Sequence, residues 1–559
     1  MINNLFLSIT MLSALMVGSV TKPSDNIKPS NRVIGSGSQT LRLLNVEDYI
    51  YEQETSEDPE SFVVLFENYA KELGYKNCKV EYMTTDTPES MFNQVKLSPE
   101  GFDLICPSDY MIQKLIVNDM IEPMHIDEDH MPNYISNASQ IKNRLDKISA
   151  VNSKTNETCY LKDYAVGYMW GTLGILFDPS YGGRDPEQTI HDMEDWSVLW
   201  NPDYKGISSI KDSVRDTYAI GLLEALRDDF EENGAVTEGF ETLMNKHNDG
   251  TYSDEEYNEK FSELFNYCDN ATLEKVRKSL TKLKGNVFGM EVDSGKQDIV
   301  TGKIGINFAW SGDAVYSMEQ AEEEKELELC YSIPQTGSNL WMDAWCMPKA
   351  TRSDAQRELA ELFLDFLSTP EYTALNMEYT GYTPFTAGNE ILELTRSWYD
   401  YRYDEETEEF DDVQYTEEEM EELELQKVDL SYFFAGTLTG DLADDENACI
   451  FYSDCYLPYS YEDEDGEIHD NKCVGREFFC QFPDEETLSR CAVMRDFGSQ
   501  NDAVLKMWEK FKSDNLPVWA IVLFAVEISV AALAAVYFIA NKQLKKSFRR
   551  KRLENNNKN

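Results

Sequence analysis

The segment Asn339 to Pro348, NLWMDAWCMP, sets a carboxylate between two indoles. If the segment is a strand, side chains alternate between faces, so Trp341, Asp343 and Trp345 share one face and Met342, Ala344 and Cys346 the other. A carboxylate so placed is costly to bury unless a cation or a hydrogen-bond donor meets it. A second short acid follows a tryptophan at Trp310 and Asp313 in AWSGDA. Acids at strand ends beside Trp are hard to explain as packing alone. The acids of KDSVRD are less pointed: Asp212 with Arg215 and Asp216 also fits an N-cap and a helix-surface pair.

Other chemistries leave no matching pattern. No Gly-x-Ser-x-Gly elbow, phosphate loop, dinucleotide glycine fingerprint or His pair at metal spacing occurs. With five histidines a zinc site has little support. A loose calcium-loop echo at Asn245 to Glu256 puts Asn245 and His247 where carboxylates are needed. A net charge of -53 repels nucleic acid and suits cationic ligands, although acidity is also a solubility device. The expectation is a binding protein with no cofactor and no metal, not an enzyme.

The elements that must position these residues read as alternating α/β. From Leu41, LRLLNV is a strand, SFVVLFENYAKELG an amphipathic helix ended by Gly74, and CKVEYM a second strand. A helix around ESMFNQVKL follows, then the buried strand FDLICP, then a helix with Ser108 as N-cap. A second α/β region starts near Tyr164 and includes KIGINFAWSGDAV, a strand running into a helix. Such alternation predicts a mostly parallel sheet covered on both faces, with ligands beyond the carboxyl ends of the strands. That places the loops after Leu44, Cys106, Ile210, Phe308 and Leu340 around one site.

Toward the C-terminus the composition shifts. Between Asp400 and Asp429 acids face only Arg402 and Lys427, which reads as a solvated insertion. Asp445 to Gln481 is aromatic and Cys-rich, read as an elaborated surface loop. The chain has 11 cysteines, and five of them, Cys449, Cys455, Cys473, Cys480 and Cys491, crowd this part, where an external location permits disulfides. Cys106 and Cys346 read as buried thiols. Leu516 to Ala540 is an apolar run of membrane-spanning length broken by Glu527, followed by a basic tail from Lys542 to Arg552. The positive-inside rule puts that tail in the cytoplasm and the acidic body outside. Leu5 to Val20 is similar to a signal-peptide core, but its positive charges follow it rather than precede it.

Seven segments, NVEDYI, FDLICPSDY, WSVLWNPDYKG, KDSVRD, AWSGDA, WMDAWCMP and GYTPFT, occur in the order found in one family. Together the chain resembles the extracytoplasmic spermidine/putrescine-binding proteins of bacterial polyamine ABC importers. The resemblance implies a two-lobed, hinged α/β fold of the periplasmic-binding-protein type (type II), to which the sequence adds a single C-terminal transmembrane helix. It implies ligand contacts from Glu47, Asp48 and Tyr49 in the first loop, Ser108 and Tyr110 in the next, and Ser213 and Asp216 in KDSVRD. Trp310, Asp313, Trp341, Asp343 and Tyr382 complete the implied set, whereas Trp345 reads as core. Relatives often have an aromatic residue where Val46 stands and sometimes a second acid where Ser213 stands. An ammonium over an indole gains about 0.5–2 kcal/mol. A charge-assisted hydrogen bond to a carboxylate adds roughly 1.5–3 kcal/mol. Partners implied are a polyamine, spermidine or putrescine, and permease subunits driven by a cytoplasmic ATPase. The same fold could instead hold another small cationic or amino-acid-like solute.

The expected organisation is a signal or anchor segment and linker over 1–40, then a first lobe from 41–164 and 341–390. A second lobe follows from 165–340 and 391–512, the latter with acidic and Cys-rich insertions. The span covers 516–540 and the cytoplasmic tail 541–559, with the body in the periplasm or at the cell surface.

Overall fold

Strands and helices alternate in a computed structural model of the chain, which describes residues 39–513 apart from 54, 56–57, 76, 233, 405–406, 408, 412, 457–458 and 463–467. Twelve strands join in one continuous sheet. They are β1 (Gln39–Val46), β2 (Cys78–Thr85), β3 (Leu104–Ile105), β4 (Ile121–Glu122), β5 (Ala165–Phe177) and β6 (Ser208–Lys211). After them come β7 (Gly289–Glu291), β8 (Ile306–Trp310), β9 (Cys330–Ser332), β10 (Leu340–Pro348), β11 (Thr383–Pro384) and β12 (Val474–Gly475). The main path runs β7-β6-β8-β5-β10-β3-β1-β2.

The long strand β5 makes this sheet two sheets. Its first part, Ala165 to Thr172, pairs antiparallel with β10, next to which lie β3, β1 and β2. Its second part, Leu173 to Phe177, pairs with β8, and β6 and β7 continue outward in parallel. Every residue of β5 is buried. One strand therefore belongs to two lobes, and the carboxyl ends of β1, β3, β6 and β8 all approach the place where it changes partners. This is the two-lobed periplasmic-binding-protein-like architecture.

Helices fix the loops at that place. They are α1 (Phe62–Glu72), α2 (Pro88–Leu97), α3 (Asp109–Val117), α4 (Val214–Ala225) and α5 (Gly295–Val300), then α6 (Ser311–Lys325), α7 (Asp354–Leu367) and α8 (Pro370–Thr380). Thr87 caps α2 by accepting the Ser90 N–H, and Pro88 supplies the first helical φ. Ser213, not Asp212, caps α4, taking the Asp216 N–H. Ser108 stands at the start of α3, but its hydroxyl makes no cap bond and stays free for another partner. Gly381, at φ +72°, closes α8 in the left-handed region that only glycine adopts without strain.

Two C-terminal expectations need correction. The stretch from Asp445 to Gln481 is not a surface loop. It supplies β12 to the edge of the second sheet through β9, and Phe451, Phe478 and Phe479 are fully buried. Each such ring contributes about 1.5–3 kcal/mol by burial, so the aromatic residues around β12 and Phe451 are core. The acidic stretch before it is not wholly solvated either, because Asp400 and Arg402 form an ion pair with both side chains fully buried. All eleven cysteines are free thiols, Cys106 and Cys346 among the buried ones. The calcium-like loop is used otherwise. Glu256 closes a capping box with Ser253, and His247 meets Asp254 at 2.9 Å.

The chain divides into two units, residues 1–504 and 505–559. The second is described only to residue 513, as the end of the helix Asn501–Ser513, where Trp508 lies against Phe511. No helix among the described residues is long and apolar enough to cross a membrane. The stretches read as a membrane span, Leu516 to Ala540, and as a signal core, Leu5 to Val20, lie outside the described residues.

Candidate ligand-binding site

Where β5 passes from one sheet to the other, its backbone is held by site residues. Trp341 donates its indole N–H to the Thr172 carbonyl at 3.1 Å, and the Thr172 N–H meets Ser311 Oγ at 3.2 Å. A Cβ on Gly171 would lie 2.3 Å from Ser311 Oγ and 2.5 Å from the Trp341 ring. Only glycine lets the tryptophan lie this close to the crossing strand. The ladder slips between Asp343 and Ala344, which face Met169 and Gly167 and leave Tyr168 unpaired. Bulges of this kind re-aim side chains beside binding sites.

Asp343 meets hydroxyls and other acids, not a cation. The Tyr49 hydroxyl donates to its Oδ2 at 2.8 Å, and the free Ser108 side chain bonds it as well. Burial, with the Asp216 charge adding to it, pushes the Asp343 carboxyl from 3.8 up to about 6 in spite of these two donors. Asp216, on the first turn of α4, is itself raised by burial, which Ser213, Lys211 and the Trp310 indole offset in part. Glu89, on the first turn of α2, is raised by burial and by the Asp216 charge, while Tyr110 donates to it at 3.2 Å. Asp216 thus acts on both of the others. Asp343 on β10, Glu89 on α2 and Asp216 on α4 make an acidic row linked through the charge of Asp216.

Rings wall the row. Tyr49 packs edge-on against Tyr382 at 5.2 Å and Tyr168 at 5.4 Å, and Tyr382 meets Trp341 edge-on at 5.5 Å. Gly312 makes room for Tyr382, since a Cβ there would lie 2.3 Å from the ring. The Tyr382 hydroxyl then reaches Asp313 Oδ1 at 2.8 Å.

The corner around Asp313 departs from the sequence expectation. Lys211, the last residue of β6 and completely buried, places its Nζ 3.1 Å from Asp313, 3.2 Å from Glu291 and 4.3 Å above the Trp310 ring. Burial alone would lower the Lys211 ammonium, but Asp313 and Glu291 outweigh it and hold it above its usual range. Asp313 is lowered correspondingly: burial opposes ionisation, but Lys211, Lys296 and the Tyr382 hydroxyl prevail. Asp313 and Trp310 were expected to wait for a ligand ammonium. They already hold one belonging to the protein.

Of the residues singled out in the sequence, the structure brings Tyr49, Ser108, Tyr110, Asp216, Trp310, Asp313, Trp341, Asp343 and Tyr382 together. Ser213 is present as the cap of α4. Glu47 and Asp48 are exposed at the end of β1, Asp48 with φ +50°, and Asp48 enters through its charge acting on Lys296. Trp345 lies in the core against Tyr168 and Phe363. Sequence reasoning missed Glu89, Glu291, Lys211 and Lys296. Glu89 follows β2 and Glu291 is the last residue of β7, two strand ends left out of the predicted ring of loops. The strand-end rule itself would have found them.

One possible ion site occurs among the described residues, formed by His125, His130 and Glu361. His125 Nδ1 lies 3.1 Å from Glu361, and His130 Nδ1 lies 2.7 Å from Asp127, so each ring already has a carboxylate partner. None of the cleft residues takes part.

Comparison with known proteins agrees with this architecture. Residues 65–390 match the model of the bacterial extracellular solute-binding protein family. The spermidine/putrescine-binding periplasmic protein of Escherichia coli K12 is 24% identical over 330 residues, 59% of this chain and 76% of that protein. The putrescine-binding periplasmic protein SpuD of Pseudomonas aeruginosa UCBPP-PA14 is 24% identical over 388 residues, 68% of this chain and 84% of that protein. A solved Listeria monocytogenes structure, assigned to a spermidine/putrescine ABC transporter, covers 86% of this chain and 100% of its own at 21% identity, with a TM-score of 0.51. With more than half its length matched, and with two sheets sharing a crossing strand, this chain belongs to the bacterial extracellular solute-binding protein family.

Proposed function

We propose that this chain is the extracytoplasmic substrate-binding component of a polyamine ABC importer. It captures a linear organic cation between its lobes and delivers it to a membrane permease driven by a cytoplasmic ATPase. The observation that carries this reading is the acidic row. Asp343, Asp216 and Glu89 are held near one another, all raised, among Tyr49, Tyr110, Trp310, Trp341 and Tyr382. Like charges gathered in a dry place are unfavourable until a cation enters. Methylenes between ammonium groups would lie on the ring walls. Three or four such contacts are enough for micromolar binding, about -8 kcal/mol, after ordering costs. Relatives named for spermidine and putrescine binding support the same ligand class. In this reading the ligand is bound and released unchanged.

In this reading 41–164 with 341–390 form one lobe and 165–340 with 391–512 the other, hinged at β5 and β10. The apolar run 516–540 anchors the chain beside its permease and raises the effective concentration without new contacts. Titration calorimetry of the purified full-length chain tests the ligand class with putrescine, spermidine, spermine and basic amino acids. Saturable heat from the amines alone supports it. Saturation by basic amino acids alone would give the site to a different cationic solute. A chain ending before Leu516 should bind equally well yet support less uptake in cells, and unchanged uptake counts against the tether.

A further inference from the structure

Lys211 has everything that a ligand ammonium would look for. Its ammonium donates to the Val292 carbonyl at 3.0 Å and to Asp313 at 3.1 Å, forms an ion pair with Glu291 at 3.2 Å, and lies 4.3 Å from the Trp310 face. An ammonium has no fourth donor to offer. Lys296 brings a second cation to 3.9 Å from Asp313 Oδ1, and the Tyr382 hydroxyl already bonds that oxygen. The Asp313 corner is therefore balanced without any ligand. The acidic row is not. Lys211 and Arg215 act on Asp216 and Lys114 acts on Glu89, but burial keeps all three acids raised, and Arg215 itself is turned to Asn266 and the Phe497 ring.

Building on the polyamine reading, we propose that Lys211 is a resident ammonium that sets the length of ligand the cleft accepts. It fills the Trp310–Asp313 corner in place of a ligand amine. The row Asp343–Asp216–Glu89 then takes the two ammonium groups of a short diamine. A longer triamine is rejected, because its third ammonium would have to enter the corner that Lys211 occupies and that Lys296 flanks. Lysine suits the role because its point charge on a flexible stem mimics the end of an alkylamine. Discrimination comes from an occupied place rather than an added contact, which is the repulsive route to specificity.

The test compares putrescine with spermidine on full-length wild-type chain and on Lys211→Met, by titration calorimetry, with folding checked by circular dichroism. Wild type should bind putrescine at least tenfold more tightly than spermidine. Lys211→Met opens a corner still lined by Asp313 and Trp310, so the ratio of spermidine affinity to putrescine affinity should rise at least tenfold. Removing one partner of a buried ion pair can unfold a protein. The double variant Lys211→Met/Glu291→Gln therefore serves as the second test, because it removes one of the two acids left behind and keeps an oxygen for the Gly295 N–H that Glu291 accepts at 2.9 Å. Spermidine preference in wild type, or an unchanged ratio in a folded variant, overturns the proposal. If no amine binds any of the proteins, the polyamine reading itself falls and this proposal falls with it.

Discussion

Replacing Asp343 with Asn should stabilise the free protein and disable it as a receptor. The carboxyl moves from 3.8 to about 6 on folding, chiefly by burial. A shift of about two units corresponds to roughly 3 kcal/mol. Its sign follows from linkage. A group whose folded pKa is raised contributes stability below its unfolded pKa, and that contribution is lost as pH rises through about 6. At pH 8 the free wild type therefore carries most of the cost of a buried, like-charged carboxylate, and at pH 3 almost none. Asn keeps an oxygen for the Tyr49 hydroxyl and removes the charge. Asp343→Asn should gain about 2–3 kcal/mol at pH 8 and nearly nothing at pH 3.

Urea denaturation at both pH values measures this difference from the midpoints. Adding putrescine should then reverse the order. A ligand present at 100 times its Kd stabilises wild type by about 2.7 kcal/mol, while the variant, its anchor gone, should gain little. An Asn variant that is no more stable than wild type at pH 8 would mean that Asp343 is not a strained charge. The cation-anchor reasoning would then fail at its centre.

Three further outcomes follow from the same geometry. Amine affinity measured by calorimetry from pH 8 to 5 should be level above about pH 6, where Asp343 is ionised, and weaken toward tenfold per unit below it, because binding must then expel a proton; a flat profile would separate Asp343 from the ligand. Gly312→Ala should cost about 1–3 kcal/mol in a urea melt and weaken amine binding at least tenfold, since its Cβ would lie 2.3 Å from the Tyr382 ring and drive it off Asp313. Arg402→Met breaks the fully buried pair with Asp400 and should lose about 3–5 kcal/mol of stability, while the affinity of the folded fraction stays within twofold.

The elements were legible because their periods and caps are local. LRLLNV, CKVEYM and the strand before Trp310 follow from apolar runs bounded by turns, and the strand-end rule then gathers Trp310, Asp313, Trp341 and Asp343. The rest depends on reach and context. Lys211 reads as one more residue at the end of a strand, and nothing local says that its stem will carry an ammonium across to Asp313 on another helix. Glu89 follows a capped proline and looks like an ordinary first-turn acid. Ser108 looks like a cap, yet its hydroxyl turns to a strand more than two hundred residues away in sequence. In the C-terminal part, cysteines and acids drew the reading toward the surface. The run Phe478, Phe479 and Phe482 was the better guide, because aromatic residues at that density are unfavourable in water.

On the proposed polyamine reading, the acids assigned to the ligand also bear on how the lobes would move. In the proposed lobe division Asp216 sits on the second lobe, and Asp343 on β10 and Glu89 on α2 sit on the first, so lobe closure brings like charges together. Two unit charges 6–8 Å apart repel by roughly 2–3 kcal/mol at an effective dielectric constant near 20. Without a cation this repulsion favours separated lobes, and a cation in the row turns the same Coulomb energy into attraction. Lys211 keeps its partners Asp313 and Glu291 whichever way the lobes lie, because all three belong to the proposed second lobe. A surface of net charge -53 would gather any cation. Closure answers only to a cation that reaches across the row, so selectivity resides in which acids are left unpaired and not in how many acids the chain contains.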